Sequence, residues 1–258
     1  MASDGALRVT RDGPLATLTI DRPERRNAVD LASWRALPDV AARLAADPGV
    51  RVVVVRGAGR RAFSAGADLD DVATLVGRPD EGAAYLATVD AAVQALAEVP
   101  VPTIAMIHGH CIGGGWELAA ACDLRFGADD ARIAVPPARI GLVYSVAATE
   151  RLLRLVGPSA TKRLLFAAEA LDAGRARAVG LLDEVHAADL LEEATYAFAR
   201  TVASRSTTTL RAAKRIVAAL QAGGDLSGAR QAVRDAFAGD DVVEGVRAAR
   251  DGRPPRFA

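Results

Sequence analysis

Two short stretches gather small residues where chemistry could use them: Phe63-Ser64-Ala65-Gly66-Ala67-Asp68-Leu69, and Gly109-His110-Cys111-Ile112-Gly113-Gly114-Gly115-Trp116-Glu117-Leu118-Ala119-Ala120-Ala121-Cys122-Asp123. Glycine and alanine keep bulk away from the main chain, so a ligand can come close to backbone N–H groups. Where such a segment opens a helix, the first N–H groups lack partners within the helix and lie at the positive end of its dipole. One N–H from each turn could therefore share a single oxygen on which negative charge develops. Glu117, three residues after Gly114, puts a carboxylate nearby. It could move a proton, or merely favour the helix start electrostatically. Either turn alone would also suit a tight turn or a close helix–strand packing site. Neither has the GxxxxGK[ST] or GxGxxG spacing, so nucleotide phosphate binding is not expected.

These turns need strands to carry them, because ligands of α/β sheets bind just beyond the carboxyl ends of strands. Arg51–Gly57, a β-branched run of the kind buried on both faces of a mainly parallel sheet, precedes the first turn, and Thr103–Ile107 precedes the second. Upstream, Leu7–Arg11 and Leu15–Asp21 alternate across the turn Asp12-Gly13-Pro14 and predict a hairpin. Asp30 can cap a helix over Leu31–Ala46, with Pro38 as a candidate kink. A helix at Glu81–Val99 and a strand at Asp123–Phe126 complete an α/β alternation. Beyond about Val146 the pattern is of amphipathic helices, over Ala147–Leu155, Ser159–Phe166, Ala173–Val179, Asp189–Ser204, Thr207–Gln221, Leu226–Ala238 and Val242–Arg250, with one strand at Leu182–His186. The expected organisation is a core over residues 1–195 and a C-terminal helical region over 196–258 that packs on the core and on neighbouring subunits.

Composition narrows the function classes. The 258 residues are 51% hydrophobic, with 32 basic residues against 32 acidic ones, so a sizeable core forms and no global field favours nucleic acid or anionic membranes. The start MASDGALRV lacks a basic-then-apolar leader, and no apolar run approaches a bilayer span, which predicts a cytoplasmic chain. Cys111 and Cys122 lack CxxC or Cys/His spacing, and His108, His110 and His186 lack metal-ligand spacing, so no metal site is expected.

The ordered set of motifs resembles the crotonase, or enoyl-CoA hydratase/isomerase, superfamily. Asp21-Arg22-Pro23-Glu24-Arg25-Arg26-Asn27-Ala28 is similar to its opening motif, the two turns to its oxyanion segments, and Leu171–Ala173, Ala178–Val185 and Thr209–Lys214 to its later ones. The resemblance implies an α/β fold of the crotonase type: a spiral of ββα units, with C-terminal helices that join subunits into a trimer or a pair of trimers. It also implies a CoA-thioester substrate and no cofactor beyond the CoA the substrate carries. Carried over, the N–H groups of Ala67 and Gly114 would hold the thioester oxygen as it becomes an enolate. Ala65, Asp68 and Leu69 would line the adenine side and Arg25, Arg26 and Ala28 the pantetheine and phosphate side, with Gly113, Pro137 and Gly141 also lining the substrate. Arg253 or Arg256 of a neighbouring subunit would be further cations for phosphate.

One departure concerns proton transfer. Hydratases of this family use two glutamates, one in the GGGxE segment and one twenty residues later; Glu117 matches the first, and the second position holds Pro137. Tyr144 is the candidate substitute, since Pro136-Pro137-Ala138-Arg139-Ile140-Gly141-Leu142-Val143-Tyr144 resembles the superfamily's methylmalonyl-CoA decarboxylases, although those carry a histidine where Ala67 stands. Tyr144 could equally be a core tyrosine. Ser145 stands where the superfamily's dehalogenases place their nucleophilic aspartate, which argues against dehalogenation. Three readings follow: hydration of a 2-enoyl-CoA with Glu117 and an atypical acid/base set, decarboxylation of a malonyl-type CoA using Tyr144, or a non-catalytic acyl-CoA-binding oligomer.

Overall fold

A computed structural model describes residues 6–257. The chain opens with the hairpin β1 (Leu7–Asp12) and β2 (Leu15–Ile20), then the helix α1 (Leu31–Ala46). From there it repeats one circuit: a strand in a large sheet, a short strand in a small sheet, then helix. The first circuit is β3 (Val52–Gly57), β4 (Ala62–Ser64), α2 (Leu69–Ala73) and α3 (Pro79–Ala97). The second is β5 (Thr103–Ile107), β6 (His110–Ile112) and α4 (Gly114–Ala121), and the third β7 (Leu124–Ala128), β8 (Arg132–Ala134) and α5 (Val146–Ala167). β9 (Ala170–Asp172), α6 (Ala173–Ala178) and β10 (Glu184–His186) follow, then α7 (Leu191–Ala203), α8 (Thr207–Ala222), α9 (Ser227–Ala238) and α10 (Asp240–Arg250).

The large sheet has the order β1-β2-β3-β5-β7-β10, and only β1 runs antiparallel to its neighbour. Along β3, Val53 and Val55 belong to one apolar cluster, with Trp34, Leu37 and Leu44 of α1 and Val89, Val93 and Leu96 of α3, while Val52 and Val54 belong to a second, beside Leu191 and Ala199 of α7. That two-sided burial is why this strand is an unbroken valine run instead of an alternating one. The small sheet, β4-β6-β8-β9, places three parallel three-residue strands side by side, and the two small-residue turns around Ala67 and Gly114 are the ones that leave β4 and β6.

Several sequence expectations shift. The four strands of the small sheet and α2 are additional to those predicted, because three residues give no readable alternation. The two helices expected over 147–155 and 159–166 form one run broken at Gly157, where φ is +74°. Pro38 lies inside α1, which continues past it because the hydrogen bond it forgoes is one among the many of a 16-residue helix. The boundary expected at 195/196 falls within α7, whose buried residues face the large sheet. α8 and α9 contain no buried residues, and Lys214 of α8 ties that region to the core by an ion pair with Asp123 at 2.7 Å. Among the described residues no helix is long and apolar enough to cross a membrane.

Candidate active site

The three consecutive glycines each meet a separate demand. Gly113 has φ +55°, a conformation L side chains rarely adopt. At Gly115 a Cβ would fall 2.7 Å from both Cβ and O of Ser64, so only glycine lets α4 start against β4. Gly114 faces the first turn: a Cβ on it would lie 3.3 Å from Ala67 N, and one on Gly66 would lie 3.3 Å from Gly114 N. The N–H groups of Ala67 and Gly114 are thereby brought beside each other, and among the described residues neither donates a hydrogen bond.

The first turn is pinned by its neighbours. Val29 N–H donates to Gly66 O at 2.8 Å, Asp68 N–H to Val29 O at 3.0 Å and Ala65 N–H to Arg26 O at 2.9 Å, which leaves Ala67 as the unspent donor between them. Asn27, at φ +56° and fully buried, donates through Nδ2 to Ala58 O and Ala62 O at 3.1 and 2.7 Å and accepts from Arg22 N–H at 3.2 Å. It locks the loop before α1 to the approach to β4. The indole of Trp34, also fully buried, supports Gly114 from α1.

Glu117 sits one turn into α4. The sequence leaves open whether helix dipole or burial controls it, and burial prevails: its carboxyl is pushed up to about 7, first by desolvation and then by the nearby Asp90 carboxylate, with Arg151 acting in the opposite direction. Asp90 and Arg151 are site residues that the sequence reading missed. Asp90 of α3 accepts from Ser145 Oγ at 2.7 Å, and one helical turn on, Gln94 accepts from Arg151 of α5 at 3.0 Å. These two bonds stitch α3 to α5 over Glu117. The hydroxyl of Tyr144 lies 3.7 Å from where a Cβ on Gly113 would be, is buried without a hydrogen-bond partner, and is held well above its ordinary pKa by burial and then by Glu117 and Cys111. The structure thus brings Ala67, Gly113, Gly114, Glu117 and Tyr144 together.

The other predicted residues divide. Ala28 is buried, Ala65 lies two residues before Ala67 in the first turn and Leu69 is 62% exposed at the start of α2. Pro137 is buried in a short 3-10 turn and its carbonyl accepts from Ile140 N–H and Leu142 N–H, while Gly141 at φ +71° turns the exposed segment that leads to Tyr144. Asp68, expected beside an adenine, has its carboxylate already taken. It caps α2 by accepting from Asp70 N–H and pairs with Arg22 at 2.9 Å and Arg25 at 3.1 Å. Burial pushes this carboxyl up, but those bonds outweigh it and hold it below its ordinary value. Arg25 is likewise held by Asp70 and Asp68 and is not a free cation for phosphate. Arg26 lines a different cavity, with Arg60, Arg61 and Arg132. Arg253 is paired with Glu244 at 2.7 Å. Cys111 and Cys122 are buried free thiols, the latter pushed up to about 12 by desolvation.

A sequence model of the enoyl-CoA hydratase/isomerase family matches residues 10–258. The chain belongs to that family. Within it, the chain is 35% identical to a putative enoyl-CoA hydratase of Thermus thermophilus over 95% of this chain and 98% of that one. It is 32% identical to a probable enoyl-CoA hydratase, echA8, of Mycobacterium tuberculosis over 96% of each chain. A crystal structure of an enoyl-CoA hydratase/isomerase family protein from Hyphomonas neptunium superposes with TM-score 0.94 at 36% identity, covering 98% of this chain and 97% of that one. The crotonase-type α/β fold expected from the motifs is therefore the fold of this family member.

Proposed function

We propose that the protein hydrates a 2-enoyl-CoA thioester, with Glu117 as the single carboxylate of the reaction. The observation that carries this reading is the pairing of two undonated N–H groups, Ala67 and Gly114, beside a carboxyl poised near neutrality. In the forward direction Glu117, ionised, takes a proton from water as the water oxygen bonds to the β-carbon. The electron pair of the double bond moves onto the thioester oxygen, and the two N–H groups hold the resulting enolate. Protonated Glu117 then returns its proton to the α-carbon, so one water is added in all and the carboxylate is regenerated. A group with a pKa near 7 suits both halves, because it gives and takes a proton with little penalty at neutral pH. The CoA arrives on the substrate and no other cofactor enters. Buried, reduced thiols fit a cytoplasmic setting.

The partnerless hydroxyl of Tyr144 supports a second reading, decarboxylation of a malonyl-type CoA. There the carboxylate C–C bond breaks and carbon dioxide leaves, its bonding electrons pass to the same enolate, the α-carbon then takes a proton from water, and Tyr144 orients the leaving carboxylate. Mass spectrometry after incubation with crotonyl-CoA and with methylmalonyl-CoA separates the two. Gain of one water by the first substrate supports hydration, loss of carbon dioxide from the second that Tyr144→Phe abolishes supports decarboxylation, and binding without turnover of either overturns both.

A further inference from the structure

At the end of the small sheet opposite the oxyanion turns lies a cavity of about 380 Å³, lined by four arginines, Arg26, Arg60, Arg61 and Arg132, with Gly109, His110 and Asp130. Arg60 and Arg61 lead into β4, His110 begins β6 and Arg132 begins β8, whereas Ala67 and Gly114 lie past the other ends of β4 and β6. Three residues of strand, on the order of 10 Å, separate the two places.

The main chain that presents these arginines is fixed. His110 N–H donates to Arg61 O at 3.3 Å and Arg132 N–H to Gly109 O at 2.9 Å. A Cβ at Gly109 would fall 2.2 Å from Arg61 O, so the loops before β4 and β6 touch directly. Arg26 enters from the far end, where its carbonyl accepts from Ala65.

The charge here is unusual for this molecule. The chain has equal numbers of acidic and basic residues, and several arginines elsewhere meet carboxylates, as in Arg11 with Asp47, Arg22 with Asp68, Arg125 with Asp183 and Arg253 with Glu244, whereas here four gather on one cavity. The side chains of Arg26, Arg60 and Arg61 make no hydrogen bond or ion pair among the described residues, and the Arg132 guanidinium donates to the carbonyls of Asp130 and Ala131. Asp130 is the one carboxylate lining the cavity. The buried imidazole of His108 registers the field: burial lowers its pKa first, and Arg56 and Arg60 lower it further.

Uncompensated guanidinium groups repel one another, and each offers a planar fork of donors that fits two phosphate oxygens at once. The volume suits a small molecule. We propose that this cavity binds a small molecule carrying a diphosphate or paired phosphate esters, at a site separate from that of the thioester.

Isothermal titration with inorganic pyrophosphate at low ionic strength, comparing the native protein with the Arg60→Gln/Arg61→Gln double variant, tests the proposal. The expected result is saturable binding that is at least tenfold weaker in the variant, weakens as salt is raised and is unchanged by saturating CoA. Absence of binding, or equal binding by the variant, overturns it. Displacement of pyrophosphate by CoA also overturns it and assigns the arginines to the substrate's own phosphates. A variant that changes oligomer size while the native protein ignores pyrophosphate overturns it too, in favour of an interface between copies. Because the readout is binding, failure of the hydratase reading leaves the test intact.

Discussion

Gly114 is the residue where geometry and proposed chemistry meet most closely. Gly114→Ala would set a methyl 3.3 Å from Ala67 N, in the space the thioester oxygen needs, and 3.1 Å from the Trp34 indole. Loss of a single oxyanion donor typically costs about 10²–10³ in rate. Steady-state turnover of the variant should fall by at least that much while its circular dichroism stays native. Asp90 acts at one remove, as a positioning residue. Its charge helps hold Glu117 near 7, so Asp90→Asn should move the acidic limb of the pH–rate profile to lower pH, while replacing Arg151 by Met should move it higher. A role for Asp90 confined to bracing Ser145 would change stability and leave that limb in place. Glu117 was legible in the sequence because its offset from the glycines is local. Asp90 and Arg151 were not, since they reach the site from the faces of α3 and α5, and only tertiary packing decides which helical residues meet.

At the scale of elements, the site depends on short pieces that sequence periodicity cannot reveal. The large sheet was legible from the valine run of β3 and the apolar strand β5, because strands of five or six residues show their burial pattern. β4, β6 and β8 are three residues each and are specified by what surrounds them: Asn27 bonded to Ala62, Gly109 against Arg61 and Gly115 against Ser64. Gly115→Ala should therefore overpack the start of α4 and destabilise the protein by about 1–3 kcal/mol in a denaturant titration. The acidic residue of the first motif illustrates the opposite limit. Asp68 looked like a ligand contact, yet it is the cap of α2 and the anchor for Arg22 and Arg25. Asp68→Ala should cost about 2–3 kcal/mol through the lost cap and charge-assisted bonds, and should raise the KM for an enoyl-CoA only as far as α2 loosens.

For the molecule as a whole, the C-terminal helices carry apolar side chains that are largely exposed among the described residues: Leu220 is 60% exposed, Phe237 79% and Val243 65%. We propose that copies of the chain cover one another there, giving a trimer or a pair of trimers. Light scattering should then return a multiple of the 26.8 kDa chain mass, and Phe237→Asp should lower it. Glu117 also sets a global pH dependence. Its folded pKa of about 7 exceeds the 4.5 of an unperturbed glutamate, so between those values the folded state keeps a proton that the unfolded chain has released. Stability contributed by this group is full below the lower value and declines as pH rises to the upper one, by roughly 3 kcal/mol at most, and Glu117→Gln should remove that decline. The same substitution gives the most direct test of the proposed reaction, through the pH–rate profile of crotonyl-CoA hydration for native and Glu117→Gln protein. The native enzyme should gain activity as pH rises through about 7, and the variant should be at least about 10²-fold slower with that limb gone. Equal rates in the two proteins, or no hydration by the native one, would contradict the assignment of Glu117 as the group that moves the proton.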